Sequence, residues 1–261
     1  LKKTGGEYHA RHFGGGFEMT NTSAALTGSG LLADGQTLWM SYAYGNSGWA
    51  PGGWGGIAIG DGKLDGSANG QFMGTGTTAV GVQTQTGSGF QAAQWIGGTQ
   101  SATNKSATAG VVGTAHHFLK MEWTATGETL THYTADLTTG DLSAGNSISI
   151  ANVDQTTFNT ISIATRDTST GTARMDELRI AGNFADALGE KFGDLDRDGD
   201  VDTNDINIAA ANFTSAGGSG KAWSTGDFDA DGDVDTNDIN GAAANFTGAL
   251  AGDHGSSDVY Y

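Results

Sequence analysis

Several common features are missing from this sequence of 261 residues, and each absence narrows its chemistry. It contains no cysteine, which excludes disulfides and thiol nucleophiles. No apolar run reaches the roughly 20 residues of a membrane-spanning helix. Only 12 residues are lysine or arginine against 29 acidic ones, and the net charge is −17. Because so anionic a chain repels phosphate backbones, we expect no nucleic-acid partner. The absence of a long apolar run leads us to expect no membrane span.

Glycine is abundant and proline is rare. The 44 glycines and the single proline suit short strands joined by tight turns. The chain length suits one large and one small domain. Residues 190–261 hold fifteen of the 29 acidic residues but only three of the 12 basic ones, so the acidity is concentrated there. The chain opens with LKKTGG, without methionine, and we expect a processed mature form.

Residues 17–181 consist largely of short runs in which alternate side chains are apolar. The clearest runs are TLWMSYAY, HHFLKMEWTA, ETLTHYTADL, SISIANV, FNTISIATRD and ARMDELRIAG. A period of two predicts strands with one buried face, and the Gly, Asn and Asp between them predict turns. The sequence therefore predicts a mainly β protein built as an antiparallel β-sandwich, followed by a small α-helical C-terminal domain.

Two acidic loops near the C-terminal end share one spacing. Counted from Asp194 or from Asp227, aspartates stand at places one, three, five, seven, nine and twelve, and Gly199 or Gly232 stands at place six. The aspartates are Asp194, Asp196, Asp198, Asp200, Asp202 and Asp205 in the first loop and Asp227, Asp229, Asp231, Asp233, Asp235 and Asp238 in the second. The runs INIAAANF and INGAAANF follow at once and predict short helices.

This spacing is that of the EF-hand calcium loop. Alternate side chains converge on the ion, place seven contributes its backbone carbonyl, and the glycine permits a sharp turn. Every donor is oxygen, which favours calcium over softer metals. An unstructured acidic tail would need neither the spacing nor the glycine. We therefore expect two Ca²⁺ ions, one in each loop.

The loops belong to an internal repeat. Gly193–Thr214 and Gly226–Thr247 are identical at nineteen of 22 aligned positions. Two such loop-plus-helix units, with aspartate at place twelve and no helix before the loop, resemble a dockerin domain over residues 189–250. The resemblance implies a secreted protein that docks onto a partner such as a cohesin. Its helices carry alanines, 209–211 and 242–244, where such domains typically offer basic residues.

The strand region resembles a second family. The runs LWMSY, FLKMEWTATGETLTHYTAD and FNTISIATRDTSTGTARMDELRI are similar to the laminin-G-like, concanavalin A-like jelly roll of bacterial surface proteins, over residues 17–188. Such domains mostly bind glycans or proteins, often with a calcium ion, so a further ion in the sandwich is compatible with the resemblance. Residues 1–16 are then an N-terminal segment and residues 251–261 a C-terminal tail.

Catalytic groups are not apparent in the sequence. The glycosidase signature Glu-x-Asp-x-x-Glu is absent, and Asp176 and Glu177 are adjacent, so they face opposite sides of a strand. A salt link with a neighbouring arginine is the favoured interpretation of this pair. A metal site at His9 and His12 is disfavoured by the surrounding glycines. The other histidines are His116, His117, His132 and His254. We expect no enzyme.

Aromatic residues offer an alternative function. The run GNSGWAPGGWGG places Trp49 and Trp54 in a glycine-rich loop beside Tyr42 and Tyr44, an arrangement that could stack on sugar rings. Coverage of a sandwich edge is the competing interpretation. We expect the remaining tryptophans to be buried, those of the sandwich being Trp39, Trp95 and Trp123 and that of the small domain being Trp223.

Three functions follow from these observations. The favoured one is a secreted, non-catalytic, calcium-stabilised assembly or adhesion protein of the bacterial cell surface, such as a subunit of an extracellular polymer. Its partner would be a second copy of the chain or another surface protein. The alternative is a carbohydrate-binding module tethered by a dockerin, with a polysaccharide partner. A glycoside hydrolase or lyase is the least favoured.

Overall fold

The computed structural model describes residues 8–10, 15–19, 28–47, 54–61, 78–85, 89–97, 99–108, 115–166 and 172–248. The chain divides into two compact units. The first comprises Leu1–Thr134 and Ala144–Gly182, and the second comprises Ala135–Ser143 and Asn183–Tyr261. The second unit therefore includes a short segment that lies far from the acidic loops in sequence. No helix among the described residues is long and apolar enough to cross a membrane.

The first unit is built from two six-stranded antiparallel sheets. In spatial order the first sheet contains β1 (Tyr8–Ala10), β12 (Thr172–Ala181), β3 (Thr37–Ser47), β8 (Ala115–Thr124), β9 (Gly127–Thr134) and β10 (Asn146–Ala151). The second contains β2 (Gly15–Met19), β11 (Thr160–Arg166), β4 (Trp54–Gly60), β5 (Thr78–Gln85), β6 (Gly89–Ile96) and β7 (Thr99–Lys105). The predicted antiparallel β-sandwich of the jelly-roll class is confirmed.

Alternation along the strands explains how the sandwich closes. In β8, Leu119, Met121 and Trp123 belong to the hydrophobic core, whereas Lys120 and Glu122 form an ion pair (3.2 Å) on the opposite face. Side chains of both sheets meet in this core, and burying them is the main source of stability. The three sandwich tryptophans are buried, as expected from the sequence: they are Trp39, Trp95 and Trp123.

The N-terminal strands extend the sandwich beyond the sequence prediction. Residues 8–10 form β1, where Tyr8 pairs with Met175, and Gly15–Met19 forms β2 beside β11. The sequence had set residues 1–16 apart from the sandwich. A run of three residues is too short for its alternation to be recognised.

The second unit contains three short helices, α1 (Phe184–Leu188), α2 (Thr203–Ala211) and α3 (Thr236–Ala244). Single 3-10 turns lie at Gln155–Thr157 in the first unit and at Trp223–Thr225 in the second. The small helical C-terminal region expected from the sequence is confirmed.

The expectation that no helix precedes the loops is wrong. Helix α1 precedes the first loop, and a 3-10 turn that begins at Trp223 precedes the second. Asn183 stabilises α1 because its side chain accepts a hydrogen bond from the Asp186 amide (2.9 Å). Trp223 is buried in the second unit, as expected, and packs edge-on against Phe184 and Phe228 at centroid distances of 5.7 and 5.2 Å.

Candidate metal-binding loops

The two repeats of the second unit bind each other reciprocally. The amide of Thr214 donates to the carbonyl of Val234 (2.8 Å), and the amide of Val234 donates to Thr214 Oγ1 (3.0 Å). Thr247 and Val201 make the same two bonds, at 2.9 and 3.0 Å. Both valines stand at place eight of their loops, so each loop is fixed by the end of the other repeat.

Close packing of glycine on alanine repeats the same symmetry. A Cβ added to Gly193 would lie 2.7 Å from the Ala242 Cα, and one added to Gly226 would lie 2.6 Å from the Ala209 Cβ. Ala209 and Ala242 are fully buried. These two alanines therefore form the internal contact between the repeats rather than part of an outward face.

The first loop turns sharply around its glycine. Gly199 has φ +97°, a backbone conformation that favours glycine, and its amide donates to Asp194 Oδ2 (3.0 Å). Further along, the Asp200 amide donates to Asp198 Oδ1 (3.1 Å). The carboxylates at places one and five therefore orient the loop backbone.

Aspartate at place twelve is fixed by the backbone on both sides. Asp205 Oδ1 accepts from the amide of Leu195 (2.7 Å), and Oδ2 accepts from the amide of Asp202 (2.8 Å). Asp202 in turn caps α2 through the amide of Asn204 (2.6 Å). This reciprocal capping box fixes the Asp205 side chain, which is one carbon shorter than the glutamate usual at place twelve, where the loop meets the helix.

Carboxylate oxygens converge in the first loop. One oxygen each from Asp194, Asp196 and Asp205 lie within 4.8 Å of one another. Asp194 is 2 % exposed, and its Oδ1 has no hydrogen-bond partner among the described residues. The structure thus brings together places one, three and twelve of the expected ligand set.

The second loop repeats this geometry. Gly232 has φ +98°, and its amide donates to Asp227 Oδ2 (3.0 Å). Asp238 accepts from the amides of Phe228 (2.8 Å) and Asp235 (2.9 Å). One oxygen each lie within 4.8 Å of one another in Asp227, Asp229 and Asp238. The hydrogen bonds from the place-six amide to place one, and from the amides of places two and nine to place twelve, are therefore shared by both loops.

The first carboxylate of each loop, Asp194 or Asp227, is hard to ionise in the absence of a cation. The pKa of Asp194 is raised to about 7, mainly by burial and also by the negative charges of Asp205, Glu190 and Asp198, whereas the hydrogen bond from the Gly199 amide opposes the rise. Burial, together with the charge of Asp238, raises the pKa of Asp227 to about 7. A divalent cation among these oxygens would reverse both effects.

The loops differ at place four. Arg197 in the first loop has φ +62° and donates through Nε to Glu190 Oε1 (2.9 Å) and also to the carbonyl of Leu137. Ala230 takes this place in the second loop, with φ +59°. Only the first loop therefore has an arginine that links it to residues outside the repeat.

The proposed sugar-binding aromatics do not form an exposed site. Tyr42 and Tyr44 are 0 % and 2 % exposed and belong to the hydrophobic core, so the interpretation of these two rings as a binding surface is wrong. Their strand alternates toward the interior, which the sequence alone left ambiguous. Trp49 lies outside the described residues, and for Trp54 only the backbone, at the start of β4, is described.

Of the acidic and histidine residues considered for catalysis or metal binding, Glu177 takes part in an ion pair. Glu177 has φ +53° at an irregularity in β12 and forms an ion pair with Arg179 (3.2 Å). For Asp176 and His9 only the backbone is described, in β12 and β1, and His12 and His254 lie outside the described residues.

Two buried polar features were not predicted from the sequence, a pair of histidines and a glutamate. His117 and His132 meet inside the sandwich, and Glu128 is 4 % exposed with no partner for either carboxylate oxygen among the described residues. The signal was present for Glu128, because it shares its face of β9 with Leu130.

Comparisons with known proteins bear on the fold alone. No family model and no curated protein matches this chain. Similar solved structures include a bifunctional GH43-CE protein of Bacteroides eggerthii (TM-score 0.32, 14 % identity, 58 % of this chain and 19 % of that chain). Another is the Bacillus licheniformis beta-glucanase (TM-score 0.34, 10 % identity, 56 % of this chain and 64 % of that chain). A third is the ancestral congerin Con-anc (TM-score 0.35, 10 % identity, 63 % of this chain and 99 % of that chain). The chain spans less than two thirds of the length of the first two structures.

Proposed function

We propose that the two loops bind Ca²⁺ and that calcium folds the second unit of a secreted, non-catalytic assembly protein. The observation that supports this most directly is the equivalent clustering of places one, three and twelve in both loops, within 4.8 Å. In the first cluster Asp194 Oδ1 is buried without a partner among the described residues. A buried carboxylate without compensation is costly, and a bound cation would remove that cost.

The donor set favours calcium over other divalent ions. All candidate ligands are carboxylate or carbonyl oxygens, whereas zinc and copper sites usually contain nitrogen or sulfur. Magnesium demands a near-ideal octahedron and keeps several waters, so a loop with many flexible carboxylates suits it poorly. Calcium loops of extracellular modules have dissociation constants of about 0.1–1 mM, which fits the proposed secretion.

Folding of the second unit should depend on the ions. Each loop holds six aspartates within twelve residues, and they repel one another without a cation. Because no preformed site exists in the unfolded chain, the free energy of binding becomes free energy of folding.

Assembly is the finer part of the proposal. Phe213 and Phe246 occupy equivalent places after the two repeat helices and are 49 % and 48 % exposed, and Ile208 is 37 % exposed. Large apolar side chains exposed in symmetric positions favour an interface between identical subunits. A second copy of this chain is therefore the partner that these positions favour.

Calorimetry and far-UV circular dichroism of the full chain test calcium binding. In about 1 mM CaCl₂ the helices of the second unit should be folded, and excess chelator should abolish their signal while the sandwich melts as before. Asp194→Ala and Asp227→Ala should each remove one site. Glu122→Gln, which changes charge equally on the outer face of β8, is the matched control. Identical melting with and without chelator would refute the proposal.

A further inference from the structure

We propose that Asp141, in the connection between β9 and β10, is a positioning residue for calcium in the second loop. The inference rests on the proposed calcium binding of that loop and adds to it a residue that lies far from the repeats in sequence. The connection, Ala135–Ser143, joins two strands of the first unit but belongs to the compact second unit together with the repeats.

The connection is held in shape by its own hydrogen bonds. The amide of Asp136 donates to the carbonyl of Asp141 (2.9 Å), and the amide of Gly140 donates to the carbonyl of Asp136 (2.7 Å). The side chain of Asp136 accepts from the amide of Thr138 (2.8 Å). Because Asp141 belongs to a closed turn, little further backbone entropy is lost when its carboxylate is fixed.

The Asp141 carboxylate caps the turn that precedes the second loop. Its Oδ1 accepts from the amide of Ser224 (2.8 Å), and its Oδ2 accepts from Ser224 Oγ (2.9 Å). Ser224 lies in the 3-10 turn Trp223–Thr225, whose N-cap residue, Ala222, makes no side-chain capping bond. Asp141 therefore supplies, from a distant part of the chain, the acceptor that an N-cap side chain would normally provide.

This turn fixes the backbone at place one of the loop. The amide of Asp227 donates to the carbonyl of Ala222 (3.2 Å), and the amide of Gly226 donates to the carbonyl of Trp223 (2.9 Å). Gly226 alone separates the turn from Asp227, and it has φ +100°. The position of Asp227, a proposed calcium ligand, therefore depends on the turn that Asp141 caps.

Packing at Gly140 reinforces the same contact. Gly140 has φ +79°, and a Cβ added to it would lie 2.8 Å from Trp223 Cδ1, so its backbone lies against the indole. The Trp223 ring packs against Phe228, which stands at place two, with centroids 5.2 Å apart. A displacement of the connection would therefore reach places one and two of the second loop.

The connection contacts the first loop at a different point. Arg197, at place four, donates to the carbonyl of Leu137. This bond does not involve the Asp141 carboxylate, so a substitution at Asp141 removes a contact of the second loop and leaves this one in place. The two loops should therefore respond unequally to the loss of Asp141.

Calcium titration of single-site variants of the full chain tests the inference. Asp194→Ala leaves the second loop as the intact site and Asp227→Ala leaves the first, so isothermal calorimetry reports one loop at a time. Adding Asp141→Ala should raise the dissociation constant of the second loop about tenfold, because hydrogen bonds to a charged group are lost. The first loop should change by less than about twofold. Asp136→Ala, which removes an exposed carboxylate that bonds within the connection, is the matched control and should change neither.

Conservative variants separate positioning from charge. Asp141→Asn keeps an acceptor for the Ser224 amide, and its own amide group can donate to Ser224 Oγ. It should therefore bring the affinity of the second loop back to within about threefold of the wild-type value. If Asp141→Ala does not fold, Ser224→Ala carries the test. It removes one of the two bonds and should raise the dissociation constant of the second loop about threefold.

The outcomes separate this inference from the proposed function. An unchanged affinity of the second loop in Asp141→Ala, or an equal loss in both loops, would overturn the positioning role and leave calcium binding by the loops intact. Failure of Asp141→Asn to restore the affinity would also overturn it, because the lost charge would then account for the change. A wild-type chain that binds no calcium would overturn the proposed function as well.

Discussion

His117 and His132 meet inside the sandwich core, where Nδ1 of the first ring lies 3.0 Å from Nε2 of the second. Strands β8 and β9 place them side by side with centroids 5.2 Å apart, and the Phe90 ring lies 4.1 Å from His117. One nitrogen must donate and the other accept, which neutral rings can do. Burial lowers the pKa of both, that of His132 to about 4, and the neighbouring histidines lower that of His117 further.

The first unit should lose stability as the pH falls from 6.5 toward 4. The unfolded histidines take up protons near pH 6.5, whereas the folded His132 does so only near 4. The stabilisation is therefore complete above the unfolded pKa and lost as the pH falls, by roughly 3 kcal/mol for this residue. Thermal melting followed by tryptophan fluorescence measures it. His132→Gln should flatten this part of the pH profile, and an unchanged slope would contradict the prediction.

Glu128→Gln should stabilise the first unit at high pH. Burial raises the pKa of Glu128 from 4.5 to about 8, so the folded state increasingly disfavours its ionisation as the pH rises between these values. The substitution should add about 4 kcal/mol at pH 8 and almost nothing at pH 4. Denaturant unfolding at both pH values measures the difference. Glu122→Gln, which alters an exposed carboxylate, should show no comparable gain.

Local patterns in the sequence were sufficient for strand alternation and for the spacing of the loops. Period-two runs such as the one ending at Trp123 predicted strands correctly, because burial of one face leaves a local record. In the same way, the spacing of the aspartates is sufficient to predict that the carboxylates of places one, three and twelve lie close together. These features depend on neighbours within a few residues.

Features that depend on distant partners could not be predicted in this way. Whether Tyr42 faces the core or the solvent is decided by which face of its sheet packs against the other sheet, and β1 is defined only by its pairing with β12. The meeting of His117 with His132 likewise depends on the register of two strands. The reciprocal contacts of Gly193 and Gly226 need the two repeats to be docked.

Gly226→Ala should destabilise the second unit more than Gly232→Ala does. Both glycines have positive φ, +100° and +98°, so alanine costs roughly 1–2 kcal/mol in backbone strain at either place. A Cβ on Gly226 would also lie 2.6 Å from the Ala209 Cβ, whereas one on Gly232 meets nothing within 4 Å. Helix unfolding at fixed calcium concentration, followed by circular dichroism, compares the variants. Equal losses would refute the close packing of the repeats.

Soluble glycans should not compete with the proposed assembly. Because Tyr42 and Tyr44 are buried in the core, Trp49 and Trp54 are the remaining candidates for sugar stacking. Trp49→Ala and Trp54→Ala should leave the oligomeric state unchanged. Tight polysaccharide binding by wild-type chains in calorimetry, lost in either variant, would favour the carbohydrate-binding alternative instead.

Self-association should depend on the repeated phenylalanines. A stable interface buries on the order of 1,200 Å² or more, and Phe213 and Phe246 offer apolar area at two equivalent points of the second unit. The double substitution Phe213→Ser with Phe246→Ser should yield monomers, because it removes this apolar area. Both side chains are about half exposed, so the substitutions should affect the interface more than folding. Light scattering coupled to size exclusion, in calcium, measures the mass.

Two further measurements test the location of this interface and its dependence on calcium. Ile96→Ser removes an exposed apolar side chain (57 % exposed) from the first unit and should leave the assembly intact. Chelator should dissociate wild-type assemblies before the sandwich melts, since the phenylalanines follow helices that begin within the calcium loops. Wild-type protein that remains monomeric at high concentration in calcium would refute self-association.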